Sequence, residues 1–281
     1  MNQKSKLNPA KDLKRRIILS ASSDIGTALA QSWLEQGFEV LGTFRTHSIN
    51  CDKLEHAGAK LIHCDLNDKI SLNSAIKELS SFGRWDILTI AVGALEPIGK
   101  FLETDFDHWE NSISINFISQ LRFIHGLLPY RRQGSKLMPL VLFFAGGGTN
   151  NATINYSAYT ISKIASIKIC ELLDAEIPDT RFVILGPGVV RTKIHEATLN
   201  SPEKAGSNYK KTLEILSGDK CYPMSKVVDC CNWLITGDRN IISGRNFSAV
   251  NDKWGYRELE NLLASDQNIY KLRRFGNDLL H

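Results

Sequence analysis

The stretch Arg16-Ile-Ile-Leu-Ser-Ala-Ser-Ser-Asp-Ile-Gly26 joins a short apolar run to a serine-rich turn, and a helical pattern follows directly. We predict a buried strand at 16–20. A helix is predicted at 25–36, because its apolar residues share one helical stripe: Ile25, Ala28, Leu29 and Trp33. In α/β sheets, a turn from strand to helix can receive a pyrophosphate on backbone N–H groups and on the helix N-terminus.

Strands and helices alternate along the chain after this unit. Further strands are predicted at 38–43, 59–64, 87–92, 139–145, 181–185 and 245–250, and further helices at 72–81, 109–128, 157–177 and 227–234, with a short helical stretch between the second and third strands. Strands that are apolar throughout and separated by helices indicate a parallel sheet covered on both faces. The predicted fold is therefore α/β: a single-domain, doubly wound, Rossmann-like parallel sheet in three α/β/α layers.

The chain divides into three segments around this sheet. Residues 1–15 form a polar leader, and 16–250 form the predicted dinucleotide-binding domain. Within that domain, the weaker pattern at 189–218 predicts a mobile, helix-containing lid over the substrate. Residues 251–281 are expected to extend the same domain.

Composition excludes several classes of protein. The formal net charge of +4 is modest and its basic excess clusters near the two ends, so we expect no nucleic-acid partner. The longest apolar runs fall far short of the roughly 20 residues of a membrane helix. The first ten residues lack the apolar core of a secretory signal, which favours a cytoplasmic protein. The six cysteines lack metal-ligand spacing, so we expect reduced thiols and no metal.

The turn at 19–26 resembles the TGxxxGxG fingerprint of the short-chain dehydrogenase/reductase family, with its three glycines aligned on Ser20, Asp24 and Gly26. An ordinary strand-to-helix turn is an equal account of the motif alone. Asp tolerates left-handed backbone angles and is a favoured N-cap, so we expect Asp24 to close the turn. Its carboxylate would repel the pyrophosphate unless it turns back onto the helix amides. The resemblance implies cofactor contacts from Ser20, Ser22, Ser23, Asp24, Ile25 and Gly26.

Other positions match the family's cofactor contacts in chain order. Arg45, at the tip of the second strand, implies NADP(H), with NAD possible, although a solvated arginine is a common alternative. Asp65 matches an adenine-contacting aspartate, and a turn aspartate is the alternative. Gly93 allows close backbone approach after the fourth strand. After the sixth strand, the resemblance implies cofactor contacts from Pro187, Gly188, Val190 and Thr192.

Tyr159-Thr-Ile-Ser-Lys163 carries the predicted chemistry. Residues four apart share a helix face, so the phenol and the ammonium can point into one cleft, where the positive charge should lower the phenol pKa. A surface pair on an amphipathic helix is the alternative. The family resemblance implies that Tyr159 is the general acid/base and that Lys163 tunes it and holds the nicotinamide ribose. It also implies that Asn116 supports a water-linked proton path, with a structural hydrogen bond as the alternative.

The family's catalytic serine is absent from the expected place, 12 to 14 residues before the tyrosine. Phe144-Ala-Gly-Gly-Gly148 occupies that stretch. Loss of such a donor typically costs about a hundredfold or more in rate. We rank Thr149 first as its replacement because it carries a hydroxyl, ahead of Asn150 and the backbone N–H groups of 146–148. A flexible wall without a catalytic role is the alternative.

These residues predict an oxidoreductase that transfers a hydride between NADP(H) and a small carbonyl or alcohol. The tail, with Trp254, Tyr256 and Tyr270, is similar to those of family members in carbohydrate metabolism, which implies a sugar-like substrate; subunit packing is an equal explanation. The resemblance also implies a homodimer or homotetramer through the helices around Trp109 and Tyr159. A catalytically weakened nucleotide- or partner-binding relative is the alternative function, and a lyase or epimerase on this scaffold stays open.

Overall fold

Seven parallel strands form one central sheet in the computed structural model, which describes residues 14–218 and 220–275. The strands follow the spatial order β3-β2-β1-β4-β5-β6-β7. The chain leaves β1 for one edge of the sheet and returns beside it at β4, so the strand order reverses between β1 and β4. The strands are β1 (Arg15–Leu19), β2 (Glu39–Phe44), β3 (Lys60–His63), β4 (Ile87–Ile90), β5 (Leu140–Phe144), β6 (Arg181–Gly186) and β7 (Arg245–Ser248).

Helices cover both faces of the sheet. The long ones begin at capping residues or follow strands directly, as the sequence pattern predicts. The α-helices are α1 (Asp24–Glu35), α2 (Ile49–His56), α3 (Lys69–Ser81), α4 (Phe106–Ile113), α5 (Ser119–Leu127), α6 (Ser157–Glu176), α7 (Glu196–Leu199), α8 (Pro202–Ala205), α9 (Ser207–Ser217), α10 (Met224–Thr236), α11 (Arg239–Ile242) and α12 (Arg257–Ser265). Short 3₁₀ turns are at Phe101–Glu103, Leu128–Tyr130 and Lys193–His195.

Two apolar cores hold these layers together, one on each face of the sheet. Trp33 anchors the core under α1 and α10, and Trp85 anchors the other, under α3 and α5. Both indoles are fully buried. The Trp33 N–H donates to Asn232 Oδ1, and the Trp85 N–H donates to the Leu127 carbonyl. The predicted α/β fold with a doubly wound parallel sheet in three layers is confirmed.

The structure departs from the predicted elements in a few places. The helix predicted at 109–128 begins at Phe106 and contains a π-helical turn at Ser114–Ile118. The last strand ends at Ser248, two residues early. Helix α12 was not predicted. Residues 1–13 of the leader, residue 219 and the last six residues of the C-terminal extension lie outside the described residues.

The lid and the tail meet the carboxyl edge of the sheet. The predicted lid contains the 3₁₀ turn Lys193–His195 and α7 to α9. The tail crosses β7, where the Asn246 N–H donates to the Tyr270 carbonyl, and reaches α6 through an ion pair from Arg273 to Glu171. Within the described ranges, no helix is both long enough and apolar enough to cross a membrane.

Candidate active site

A cleft of about 1090 Å³ opens at the carboxyl ends of the central strands. Its walls come from the β1–α1 turn, the segments after β4, β5 and β6, the first turns of α6, the lid and the tail. Eleven predicted site residues line it: Ser23, Asp24, Ile25, Gly93, Thr149, Tyr159, Lys163, Pro187, Gly188, Val190 and Thr192. Six lie outside its lining: Ser20, Ser22, Gly26, Arg45, Asp65 and Asn116.

The β1–α1 turn is built around Gly26. A Cβ on Gly26 would lie 2.3 Å from the Ser20 carbonyl oxygen, so no side chain fits there. Ser20, in place of the family's first glycine, adopts a φ of 66°. Its N–H donates to Thr43 Oγ1 at 2.9 Å, which anchors this left-handed residue to β2. The turn therefore keeps a tight path next to the cleft with one glycine.

The prediction that Asp24 caps α1 is wrong. Ser23 is the N-cap of α1, because its Oγ accepts a hydrogen bond from the Gly26 N–H at 3.1 Å. Asp24 is the first residue of α1 and does not adopt a left-handed backbone conformation. Its carboxylate does not turn back onto the helix amides but accepts a hydrogen bond from the Lys193 N–H of the lid at 2.7 Å. The serine hydroxyl one residue earlier satisfies the helix, which leaves the carboxylate for the lid.

The adenosine end of the predicted site lies beyond the tips of β2 and β3. Arg45 is exposed and, among the described residues, makes no ion pair or hydrogen bond. Asp65 sits in a turn in which its Oδ1 accepts from the Asn67 N–H at 2.9 Å, which matches its structural alternative. Close to Arg45 along the chain, His47 lies 3.9 Å from Asp52 and 3.5 Å from Glu55 in an exposed cluster that carries ligand-type atoms.

Tyr159 and Lys163 lie one turn apart on α6 and both line the cleft. The Lys163 ammonium donates to the carbonyls of Val92 at 3.1 Å and Phe144 at 3.0 Å, and lies 5.7 Å from the Tyr159 ring centre. Burial lowers the pKa of Lys163 to about 8 and raises the pKa of Tyr159 to about 12. The expected lowering of the phenol pKa is therefore not found, because burial disfavours the charged phenolate.

Gly146 makes room for the phenol, and Gly93 lies beside the ring. A Cβ on Gly146, thirteen residues before Tyr159, would lie 2.7 Å from the Tyr159 hydroxyl. A Cβ on Gly93 would lie 3.9 Å from the ring and 3.1 Å from Ile194 of the lid. The phenol thus occupies space that a side chain at 146 would need. This contact gives a physical reason for glycine where the resemblance places serine.

Other hydroxyls surround the glycine-rich loop. Thr149, the predicted replacement for the serine, is exposed on the cleft wall. Sequence reasoning missed Thr153, whose Oγ1 would lie 3.2 Å from a Cβ on Gly148. It also missed Thr160, whose Oγ1 is buried with no partner among the described residues. No periodic or motif signal in the sequence distinguishes these threonines.

Asn116 lies in the π-helical turn between α4 and α5 and is fully buried. Its side-chain amide both accepts from the Ala94 N–H and donates to the Ala94 carbonyl, each at 2.9 Å. This double hydrogen bond fixes the segment that follows Gly93. The structural alternative therefore describes what the amide does here, and the proton path stays a prediction.

The segment after β6 forms the opposite wall. Gly188 has a φ of 77°, and a Cβ there would lie 2.4 Å from Val250. Two residues of the lid are tied to Val190, since the Thr192 hydroxyl and the His195 ring both bond its carbonyl, at 3.3 and 2.9 Å. Tyr270, one of the tail aromatics noted in the sequence, also lines the cleft. The sequence indicated no site role for four further lining residues, one in β7 and three in the tail: Asn246, Asp252, Lys271 and Arg273.

Known proteins match both the sequence and the fold. Residues 20–249 match the protein-family model described as enoyl-(acyl carrier protein) reductase. An uncharacterized oxidoreductase of Schizosaccharomyces pombe is 28% identical over 204 residues, which cover 69% of this chain and 78% of that protein. The crystal structure of the KRED1-Pglu enzyme has a TM-score of 0.75 at 23% identity, over 83% of this chain and 99% of that chain. BdcA in complex with NADPH has a TM-score of 0.68 at 18% identity, over 84% and 92%.

Proposed function

The chain belongs to the short-chain dehydrogenase/reductase family, and on that premise we propose that it reduces a small hydroxylated carbonyl compound with NADPH. Membership in the family makes it an NAD(P)-dependent oxidoreductase in general terms. One observation carries the finer proposal: Tyr159 and Lys163 share one face of α6 and line the same cleft as the β1–α1 turn.

The cleft suits a dinucleotide, because glycine backbone is exposed to it where a dinucleotide must approach. Gly93 lines the cleft without a side chain, and Gly26, outside the lining, lets the β1–α1 turn keep its tight path beside it. We assign the pyrophosphate to the turn at Ser23 to Ile25 and the nicotinamide end to Gly93, Lys163 and Thr192. The bound nicotinamide would supply the hydride for reduction, or accept it in the reverse reaction.

Tyr159 would move the proton in this reaction. With a pKa raised to about 12, its phenol is fully protonated at neutral pH, which is the form that donates to the oxygen of a carbonyl under reduction. Lys163, held by two backbone carbonyls, keeps a positive charge near the ring and stabilises the phenolate that is left. These two side chains therefore favour reduction at neutral pH.

Arg45 supports the preference for NADP(H). It is exposed at the tip of β2, and no described residue pairs with its guanidinium, so the five donors are free for a 2′-phosphate. Glu39 and Phe44 bound β2, and no acid stands at the strand's carboxyl tip to bind an adenosine ribose. BdcA, which shares this fold, has been crystallised with NADPH.

The rest of the cleft supports a hydroxylated, sugar-like substrate. Its lining includes several amide and hydroxyl side chains, which hydrogen-bond well to hydroxyl groups. The residues are Asn150, Asn151, Thr153, Asn208, Thr212, Asn246 and Ser248. A polar substrate with several hydroxyls uses such a wall better than an apolar one.

The expected assembly and location are also part of the proposal. Phe106 and Ile161 are exposed apolar residues on α4 and α6, which supports a homodimer or homotetramer through these helices. All six cysteines are free, as expected of a cytoplasmic protein. Neither statement affects the chemistry assigned to Tyr159.

A second candidate is a catalytically weakened relative that binds nucleotide without turnover. Gly146 favours it, because no hydroxyl stands where the family resemblance places the catalytic serine. This candidate predicts tight dinucleotide binding together with no oxidation of NADPH by any carbonyl compound.

Dinucleotide titration followed by a substrate screen tests the proposal. NADPH and NADH are titrated by fluorescence, and NADPH oxidation is then followed with aldoses, ketoses and simple ketones. We expect NADPH to bind at least about tenfold more tightly than NADH, since one charge-assisted hydrogen bond contributes about 1.5–3 kcal/mol, and hydroxylated carbonyls to be reduced fastest. Preference for NADH would remove the role of Arg45. Binding without turnover across the panel would favour the second candidate.

A further inference from the structure

We propose that Asp24 is a positioning residue that ties the substrate lid to the cofactor turn. The carboxylate of Asp24, at the first residue of α1, accepts a hydrogen bond from the Lys193 N–H at 2.7 Å. The two residues are 169 positions apart in the chain. The contact between Asp24 and the lid is independent of the proposed function. Only its effect on the nicotinamide end of a bound cofactor rests on that function.

The bonded N–H belongs to the first residue of a helical turn. Lys193 begins the 3₁₀ turn Lys193–His195, and Thr192 before it offers no side-chain cap. The first N–H groups of a helix have no partner within the helix. Asp24 therefore supplies from another part of the chain the acceptor that the start of the lid lacks. A hydrogen bond to a carboxylate is roughly twice as strong as one between neutral groups.

The surroundings of Asp24 include ionisable residues of the lid. Together with Asp24, these residues line a second cavity of about 280 Å³: Arg191, Lys193, His195 and Glu196. On its own helix, the positive N-terminal end of α1 favours the carboxylate. One oxygen of the carboxylate next to the predicted pyrophosphate site is thus bonded to the lid.

The position of this bond matters for the cleft. Thr192, directly before Lys193, lines the cleft, and Ile194, directly after it, contacts the space at Gly93. A bond that fixes Lys193 thereby fixes the two lid residues that flank the predicted nicotinamide end. A glycine at 24, as in the family fingerprint, has no acceptor to offer. Asp24 hence gives the turn a contact to the lid that the fingerprint glycine lacks.

Hydrogen exchange of the cofactor-free protein tests the tie directly. The variants are Asp24→Ala, which removes the acceptor, and Asp24→Asn, which keeps an oxygen but loses the charge. Asp107→Ala is the matched control, because Asp107 lies in the first turn of α4 and is exposed. In the peptide that covers 190–199, we expect exchange about tenfold faster in Asp24→Ala, within about threefold of the wild type in Asp24→Asn, and unchanged in the control. Unchanged exchange in Asp24→Ala would overturn the proposal.

The dissociation rate of NADPH gives a second readout with opposite signs. If Asp24 orders the lid, Asp24→Ala should release NADPH about three- to tenfold faster, whereas a carboxylate that only repels the pyrophosphate would make the variant release it more slowly. Slower release would overturn the positioning role. If the wild type binds no NADPH at all, the proposed function fails, but the exchange experiment still decides the tie between Asp24 and the lid.

Discussion

The two ends of the cleft depart from the family pattern in opposite directions. At the cofactor end, Ser20 and Asp24 add side chains where the fingerprint has glycines, and each finds a place: Ser20 in a left-handed turn anchored to Thr43, and Asp24 on the lid. At the catalytic end, Gly146 removes a side chain where the family has serine, and the Tyr159 hydroxyl fills the space.

The difference teaches which end can tolerate change. A side chain added in a turn can point away from the cleft, so the backbone that meets the cofactor is preserved. A hydroxyl removed beside the phenol leaves no equivalent donor at the same place. The Tyr159 hydroxyl lies where a side chain at 146 would begin. The chemistry therefore depends more heavily on Tyr159 than the cofactor end depends on either replaced glycine.

Replacement of Tyr159 by Phe should have the largest effect. The variant keeps the ring against Gly146 and Gly93 but loses the only group assigned to carry the proton, so the turnover number should fall roughly 10³-fold. NADPH affinity, measured by fluorescence titration, should stay within about threefold of the wild type. Tyr130→Phe, at an exposed position that does not line the cleft, is the control. Undiminished turnover in Tyr159→Phe would remove the phenol from the mechanism.

The buried ammonium at the catalytic end should show in the pH dependence of stability. The pKa of Lys163 is about 8 in the folded chain, against 10.5 for an ordinary lysine. Between these values the unfolded chain binds more protons, so the free energy of unfolding contributed by Lys163 rises with pH from about 8 to about 10.5, by at most about 3 kcal/mol.

Urea unfolding of the wild type and of Lys163→Met at several pH values isolates this contribution. Other groups titrate in both proteins and cancel in the difference. We expect the wild type to gain stability relative to the variant from pH 8 to pH 10. A flat difference would mean that the ammonium is solvated in the folded chain.

Arg45→Ala sharpens the comparison from the cofactor end. If the guanidinium binds a 2′-phosphate, the variant should lose roughly tenfold to 150-fold in NADPH affinity, because a hydrogen bond to a charged group contributes about 1.5–3 kcal/mol. NADH lacks that phosphate, so its affinity in the same variant is the internal control and should not change. An equal loss for both dinucleotides would mean that Arg45 supports the turn instead of reading the phosphate.

The sequence allowed the fold to be predicted because its signals are local. Strand β5 is a run of apolar residues, and α1 carries an apolar stripe, so each is visible within a dozen positions. Helix α12 escaped because only Leu259 and Leu263 are buried on it, and two positions make a weak pattern. The order of the family's motifs along the chain, more than any single motif, led to the prediction that Tyr159 and Lys163 are site residues.

The parts of the site that escaped prediction depend on contacts between distant segments. The partner of Asp24 lies in the lid, and no pattern near residue 24 indicates it. The four-residue spacing shows that a positive charge is near Tyr159, and so it predicts a lowered phenol pKa. It does not show that the phenol is buried, because the burial comes from the segments after β4 and β5. The fit between Gly146 and the phenol is likewise a matter of packing across thirteen residues.

Gly146→Ser is the most direct test of the catalytic end, although its expected effect is the smallest. The change restores the family's hydroxyl, but the new Cβ would lie 2.7 Å from the Tyr159 hydroxyl, so the phenol must move. We expect the turnover number to fall about tenfold, because the displaced phenol no longer meets the substrate oxygen, and stability to fall by about 1–3 kcal/mol from overpacking.

Gly147→Ser is the matched control for this variant, because a Cβ there has its nearest neighbour, Thr153 Oγ1, at 3.9 Å. That variant adds a hydroxyl to the same loop without pressing on the phenol, and its turnover should stay close to the wild-type value. A rise in turnover in Gly146→Ser would reverse the interpretation. It would mean that the phenol shifts without loss and that the missing hydroxyl, rather than the space it leaves, limits the reaction.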